Sequence, residues 1–330
     1  MKMKAAVLRA KGDARIVEID KPECGPRDVI VKTVRSGICG SDVSALGVEP
    51  GAEFGHETAG WLTEVGSEVA GLAPGQRVFV QPMTACPVGR SCMMGGFSEY
   101  IRVPGARLDW NVYLLPDGMS YDVAALIEPF AVGTHGKNVP GAKPGDHVVV
   151  YGVGTIGLSC ISALIAQGIK PVAIVRNDKK RALLEKMGAT VCNISEADEF
   201  AFLRENFGVT THRVGYPAID VDIVVDCAGA PTIVDDFLKM MKRASRLSIV
   251  GVNMAPVSVP LSRIMSAEVI IQGASAYDDA DIREVIDNLA SGRTHMEELI
   301  THHYKLDDIQ EALATAADRT KAIKVIVDME

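Results

Sequence analysis

Hydrophobic and polar positions along this chain change rhythm near residue 130. Before it, short runs such as Val29-Ile30-Val31-Lys32-Thr33-Val34, Ala59-Gly60-Trp61-Leu62-Thr63-Glu64-Val65-Gly66 and Arg77-Val78-Phe79-Val80 are separated by glycine and proline, as in Ala73-Pro74-Gly75. Strands at this spacing predict a small barrel-like all-β unit. The start, Met1 to Leu8, reads as a first strand, because its apolar part is too short for a signal peptide. After residue 130, His147-Val148-Val149-Val150-Tyr151 is a continuous apolar run, as a strand buried on both faces requires. A helical pattern follows from Leu158 to Gly168. Next come a strand over Pro171–Val175 and a helix over Lys179–Met187 closed by Gly188. Val221–Asp226, Arg246–Gly251 and Val269–Ile271 read as further strands. Strand alternating with helix predicts an α/β fold with a parallel, doubly wound sheet. The tail adds helices over Ala280–Ser291 and Leu306–Ala317 and a last strand over Ile323–Val327.

The 330 residues suffice for about two domains. Hydrophobic residues at 48% and charged residues at 23% are ordinary for a globular chain. The net charge of −8 argues against nucleic-acid or membrane-surface partners. No apolar run reaches transmembrane length. Seven scattered cysteines fit a reducing cytoplasm better than a disulfide framework.

Two segments carry candidate chemistry. The first is Tyr151-Gly152-Val153-Gly154-Thr155-Ile156-Gly157, with a buried strand before it and a helix after it. In that context Gly152 allows the tight turn, Gly154 admits a pyrophosphate to the backbone and Gly157 lets helix and strand pack closely. The helix start then offers unpaired N–H groups to phosphate. The end of the next strand selects the cofactor. NAD sites place an acid there for the ribose hydroxyls. Counting back from Gly188-Ala189, that position falls on Val175, followed by Arg176. A guanidinium can pair with a 2′-phosphate, which predicts NADP(H) over NAD(H). A one-residue shift would give the ribose to Asp178 instead.

The second segment is Gly37-Ile38-Cys39-Gly40-Ser41-Asp42 with Gly55-His56-Glu57. A catalytic zinc takes three protein ligands and keeps one position open. Cys39, His56 and a carboxylate offer such a set, and the metal would lower an alcohol's pKa for hydride transfer.

Together with Leu126-Ile127-Glu128-Pro129-Phe130-Ala131-Val132-Gly133, these motifs resemble the zinc-dependent medium-chain alcohol and polyol dehydrogenases, in the sorbitol and threonine dehydrogenase branch. The likeness runs over nearly the whole chain in the same order. It implies a GroES-like catalytic domain over residues 1–130, a Rossmann domain over 131–271, and a segment over 272–330 that completes the catalytic domain. It implies Cys39, His56 and Glu57 as zinc ligands, with Glu128 binding directly, through water or in an alternative state. Ser41 resembles a proton-relaying hydroxyl, and Asp42 a carboxylate supporting the ligands. Thr155, Ile156, Val250, Gly251, Val252 and Ala274 fall around the cofactor, Val132 near the nicotinamide, and Lys324 at the pyrophosphate.

The chain departs from that family in three places. Only Cys86 and Cys92 remain where many members carry a four-cysteine lobe, so one catalytic zinc and no structural zinc are expected. The segment between Cys39 and His56 is short, which with the missing lobe predicts an open cleft and a substrate bulkier than a short polyol. Ser44 stands where a relay histidine is usual, and His135, His212, His295, His302 and His303 read as surface or structural residues. The expected activity interconverts a secondary alcohol and its ketone, in a cytoplasmic homodimer or homotetramer acting on a small molecule. The competing readings are a metal-independent quinone oxidoreductase or enoyl reductase of the same fold, and a non-catalytic nucleotide-binding protein.

Overall fold

The computed structural model describes residues 1–85, 94–211, 215–294 and 297–329. The chain divides into two compact units, residues 1–129 with the segment from 295 onward, and Phe130–Thr294. Cys86, Cys92, His212 and His295 lie outside the described residues.

The first unit opens with β1 (Lys2–Ala10), β2 (Asp13–Asp20), β3 (Val29–Gly37), β4 (Ala52–Glu53), β5 (Glu57–Val65), β6 (Arg77–Val80), β7 (Tyr100–Val103) and β8 (Val112–Leu114). Short helices α1 (Gly40–Ser44), α2 (Pro82–Ala85) and α3 (Tyr121–Ala124) sit between and after them. Helix α4 (Ile127–Asn138) leads into the second unit. That unit contains β9 (Val148–Tyr151), α5 (Thr155–Ala166), β10 (Val172–Val175), α6 (Arg181–Met187), β11 (Thr190–Asn193) and α7 (Glu199–Phe207). A hairpin of β12 (Val209–Thr211) and β13 (Pro217–Ile219) follows. Then come β14 (Ile223–Asp226), α8 (Ile233–Met240), β15 (Arg246–Ile249), α9 (Leu261–Ala267), β16 (Ile270–Gly273) and α10 (Asp279–Ala290). The tail supplies β17 (Ile300–Lys305), α11 (Ile309–Ala317) and β18 (Lys324–Asp328) to the first unit.

The all-β character expected of the N-terminal part is realised as two sheets. One runs β17-β18-β3-β5-β6-β8, with β7 also on β3; the other is β2-β1-β4. β18 pairs antiparallel with β3, so the tail is built into the same sheet as the first hundred residues. Its register sets Ile326 opposite Gly37, and Gly37 in turn faces Glu57 across β3 and β5. Phe54 and Phe97 meet edge to face at 4.9 Å in the core behind this junction.

The second unit is a six-stranded parallel sheet, β11-β10-β9-β14-β15-β16. Every residue of β9, β10 and β14 is buried, which explains their unbroken apolar runs. The order reverses between β9 and β14, and such a switch opens a crevice at the carboxyl ends of the strands.

Two expectations need correction. Residues 272–294 stay with the second unit rather than completing the first. Helix α10 is held there by Asp281, which accepts from His135 Nδ1 and Asn138 Nδ2 at 2.8 and 2.7 Å, and by Glu284, which pairs with Lys137 at 2.8 Å. The helix expected over Lys179–Met187 begins as a separate 3-10 turn, Asp178–Lys180, because the Asn177 side chain accepts the N–H of Lys179 and starts the turn early.

Candidate active site

The cross-strand register explains the first cluster. The end of β3 runs between the start of β5 and the middle of β18, so Gly37, Glu57 and Lys324 converge. A side chain at Gly37 has no room: its Cβ would stand 1.9 Å from Glu57 Oε2. Glycine therefore makes the space in which the Glu57 carboxylate lies, fully buried. Cys39 follows just beyond the strand, ahead of α1, and its N–H donates to Asp42 Oδ2 at 2.8 Å. His56 directly precedes β5 and is also buried.

Cys39, His56 and Glu57 each offer a donor atom, and these atoms lie within 4.8 Å of one another. A thiolate, an imidazole and a carboxylate suit a borderline-soft divalent cation, and the space cleared at Gly37 keeps the carboxylate in the cluster. The residues thus fit zinc. Glu128, at the first turn of α4 and largely buried, is not one of the three but helps hold the charge of Lys324.

Around the donors the charges are paired. Lys324 Nζ donates to Glu57 Oε1 and Oε2 at 2.7 and 2.6 Å and to the Ile38 carbonyl at 3.0 Å. Burial opposes its charge, yet Glu57, Cys39 and Glu128 together keep its pKa above the ordinary lysine value. The family resemblance implies Lys324 at the pyrophosphate; in the structure its three N–H groups are spent on Glu57 and Ile38. Sequence reading missed this pairing because its partners are 267 residues apart. Asp42 Oδ1 stands 3.6 Å from His56 Nδ1. Burial pushes the Asp42 carboxyl up to about 6, against the pull of His56 and of the Cys39 N–H. A cation at the donors would favour its charged form. Ser41 is part of α1, half-buried, and Ser44 Oγ donates to its carbonyl at 3.2 Å.

The remaining described histidines serve elsewhere. His135 bonds Asp281, His147 bonds the Asp220 carbonyl, His302 bonds Thr301, and His303 bonds Asp328 at 3.0 Å. The carboxylates of Asp122 and Asp328, which with His303 form another possible donor group, are occupied by Arg35 at 2.8 and 3.1 Å.

The second cluster lies at the switch between β9 and β14. Gly152 has φ +89°, a backbone that favours glycine, and a Cβ there would meet that of Ala228 at 2.9 Å. A Cβ on Gly157 would strike the Gly152 carbonyl oxygen at 1.9 Å. Gly154, by contrast, faces open space, so the turn is a cradle with its floor uncovered. Thr155 and Ile156 open α5 directly behind it. Asp226 accepts the N–H groups of Ala228 and Gly229 at 2.9 and 2.8 Å and shapes the facing loop. Val250 and Gly251 donate to the Asp226 carbonyl, and the Val252 carbonyl backs onto Gly229. Ala274 donates to Ile249, just past the end of β16. Arg176 is exposed at the end of β10. Asp178, its competitor for the ribose, is gripped by Arg181 at 2.7 and 2.8 Å. This arrangement can hold an anionic dinucleotide by backbone N–H groups and cations.

Known proteins resemble this chain over nearly its whole length. Residues 25–117 match the alcohol dehydrogenase GroES-like domain, and residues 155–291 match the zinc-binding dehydrogenase family. Sorbitol dehydrogenase of Bacillus subtilis (strain 168) is 32% identical, over 98% of this chain and 97% of that protein. The crystal structure of 2R,3R-butanediol dehydrogenase from Bacillus subtilis superposes with a TM-score of 0.86 at 27% identity, over 99% of this chain and 100% of that one. A zinc-binding-dehydrogenase homologue from Sinorhizobium meliloti 1021, bound to NADP, gives 0.84 at 26% identity over the full length of both chains. The chain belongs to the zinc-type medium-chain alcohol dehydrogenases and is an alcohol oxidoreductase that works with zinc and a nicotinamide cofactor.

Proposed function

We propose that this oxidoreductase interconverts a secondary alcohol and its ketone with NADP(H), using one catalytic zinc per subunit. The observation that carries the reading is the meeting of Cys39, His56 and Glu57 donor atoms within 4.8 Å, in a chain that also carries an open glycine cradle. Zinc held by these residues would supply a Lewis acid for the alcohol oxygen, and NADP+ the hydride acceptor. The protein's own groups do the rest. Ser41, two residues from Cys39, takes the substrate's hydroxyl proton and passes it towards the cofactor ribose and solvent. Asp42 fixes the Cys39 backbone and faces His56, so two donors are oriented by one buried carboxylate. Lys324 donates to both carboxylate oxygens of Glu57 and balances its charge. Glu128 acts as a further oxygen donor, directly or through water.

The NADP(H) preference rests on Arg176, exposed where the second strand ends, and on Asp178 being engaged by Arg181. Likeness to the NADP-bound Sinorhizobium structure supports it. With Cys39 and His56 joined by little more than α1 and β4, the substrate is bulkier than a short polyol. The protein associates with copies of itself through the edge of its parallel sheet.

Metal content of protein purified without added metal, combined with fluorescence titration of NADPH and NADH, tests this reading. About one zinc per subunit and tighter NADPH binding are expected. Two zincs would contradict the single-metal assignment, none would remove the metal chemistry, and tighter NADH binding would transfer the ribose contact from Arg176 to Asp178. A substrate screen in which short polyols outperform bulky secondary alcohols would overturn the substrate class.

A further inference from the structure

Two thiols with no part in the metal cluster lie beside the glycine turn. Cys160 is on α5, three residues after Gly157 and on the same side of the helix, and is fully buried. Cys227 follows β14 and donates its N–H to the Tyr151 carbonyl at 2.9 Å. A Cβ on Gly157 would stand 3.5 Å from Cys227 Cβ, so this loop packs on the α5 face that carries Cys160. The two side chains meet there in a thiol–thiol hydrogen bond. Both cysteines are free, and Cys227 keeps partial exposure where Cys160 has none.

The packing is tight from this pair to the turn. Ala228 is the next residue, and a Cβ on Gly152 would meet its Cβ and N at 2.9 and 3.0 Å. A displacement of Cys227 is therefore passed to Gly152, because a close-packed interior transmits strain. We propose that Cys160 and Cys227 are a site of oxidative modification, closed to a disulfide by hydrogen peroxide, and that closure disturbs the glycine turn and weakens dinucleotide binding. The chemistry balances in two steps. The Cys227 sulfur attacks the peroxide, the O–O bond breaks, and a sulfenic acid and one water form. The Cys160 sulfur then attacks the sulfenic sulfur, the S–O bond breaks, and the disulfide and a second water form. The two thiols give up two electrons and two protons, and the peroxide takes both. Contact with Cys160, burial and the neighbouring Asp226 push the Cys227 thiol well above its ordinary pKa. The thiolate is the attacking form, so closure is slow at neutral pH and answers to sustained peroxide rather than to traces. The effect on binding rests on the glycine turn being the cofactor cradle; the cross-link does not.

Full-length, zinc-containing protein is held in excess hydrogen peroxide, digested and mapped by mass spectrometry. A Cys160–Cys227 peptide pair lighter by two hydrogen atoms, and separated again by a phosphine reductant, is expected. NADPH and NADH are titrated against the reduced and the oxidised protein, with zinc content measured alongside because Cys39 is also a thiol. The better-bound dinucleotide should weaken about tenfold or more on closure, at unchanged zinc, and recover on reduction. Cys160→Ala should bind it normally and lose less than about twofold in the same peroxide. Cys227→Ala carries the same comparison if the Cys160 variant folds poorly. Absence of the cross-linked pair, a cross-link that leaves affinity unchanged, or an equal loss in Cys160→Ala overturns the proposal. Reduced parent protein that binds neither dinucleotide overturns the cradle and the binding effect with it, while the peptide map still decides the disulfide.

Discussion

Glu57 and Lys324 show how one residue's surroundings decide what it can do. Both are buried, at 0% and 2% exposure, and each satisfies the other. Removing one partner of a buried pair leaves an uncompensated charge, at a cost of about 3–5 kcal/mol. Lys324→Met should therefore destabilise zinc-free protein by roughly that amount. Zinc should recover part of the loss, because the metal then neutralises Glu57. Denaturant unfolding with and without zinc reads both effects, and a Lys324→Met variant as stable as the parent without metal would contradict the pairing. Gly37 permits a sharper test. Its missing Cβ would overlap Glu57 Oε2, so Gly37→Ala must displace the carboxylate. About 1–3 kcal/mol of overpacking cost is expected, together with a fall in bound zinc measured by metal analysis. Lost stability with unchanged zinc content would mean that Glu57 is not a ligand.

At the scale of the element, the glycine turn after β9 separates two jobs that one motif hides. Gly157 is fixed by packing, since a Cβ there meets the Gly152 carbonyl oxygen. A Cβ on Gly154 would meet nothing within 4 Å, so only an incoming ligand needs it bare. Gly154→Ala should keep stability within about 1 kcal/mol yet weaken NADPH binding, whereas Gly157→Ala should lower both. Melting curves beside cofactor titrations distinguish the two, and a Gly154→Ala variant that binds NADPH normally would remove the cradle from the binding site. This turn was legible in the sequence because all its parts are local: strand, glycine spacing and helix lie within 20 residues. The grouping of Cys39, His56 and Glu57 came from the family resemblance, and the fold sets their donor atoms within 4.8 Å of one another. The role of Lys324 was not legible, since it depends on β18 entering the sheet beside β3. The allegiance of α10 was hidden similarly. Its amphipathic pattern says that one face is buried, and only the tertiary bonds to His135, Asn138 and Lys137 say against what. The β12–β13 hairpin escaped because its strands are three residues each, too short for a periodic signal.

For the whole molecule, the parallel sheet ends in two outer strands, β11 and β16, and the β16 edge is flanked by exposed apolar side chains. β16 is the last strand, and among the described residues no further strand pairs with its outer side. Ile270 is 49% exposed on it, and Leu261 and Met265 of the preceding helix α9 are 74% and 72% exposed. An uncovered strand edge beside exposed apolar side chains invites pairing with another chain. The sequence points the same way, because β16, Ile270-Ile271-Gln272-Gly273, is uncharged where edge strands usually carry charge. A second copy related by a twofold axis satisfies both edges at once and closes the assembly. Ile270→Lys places a charge at the start of that edge without touching either candidate cluster. Sedimentation velocity should give a dimer or larger assembly for the parent and monomer for the variant, with zinc content unchanged. A monomeric parent, or a variant that still dimerises at micromolar concentration, would show that β16 is not the interface. If the variant is monomeric and keeps its NADPH affinity, the cradle is complete within one chain.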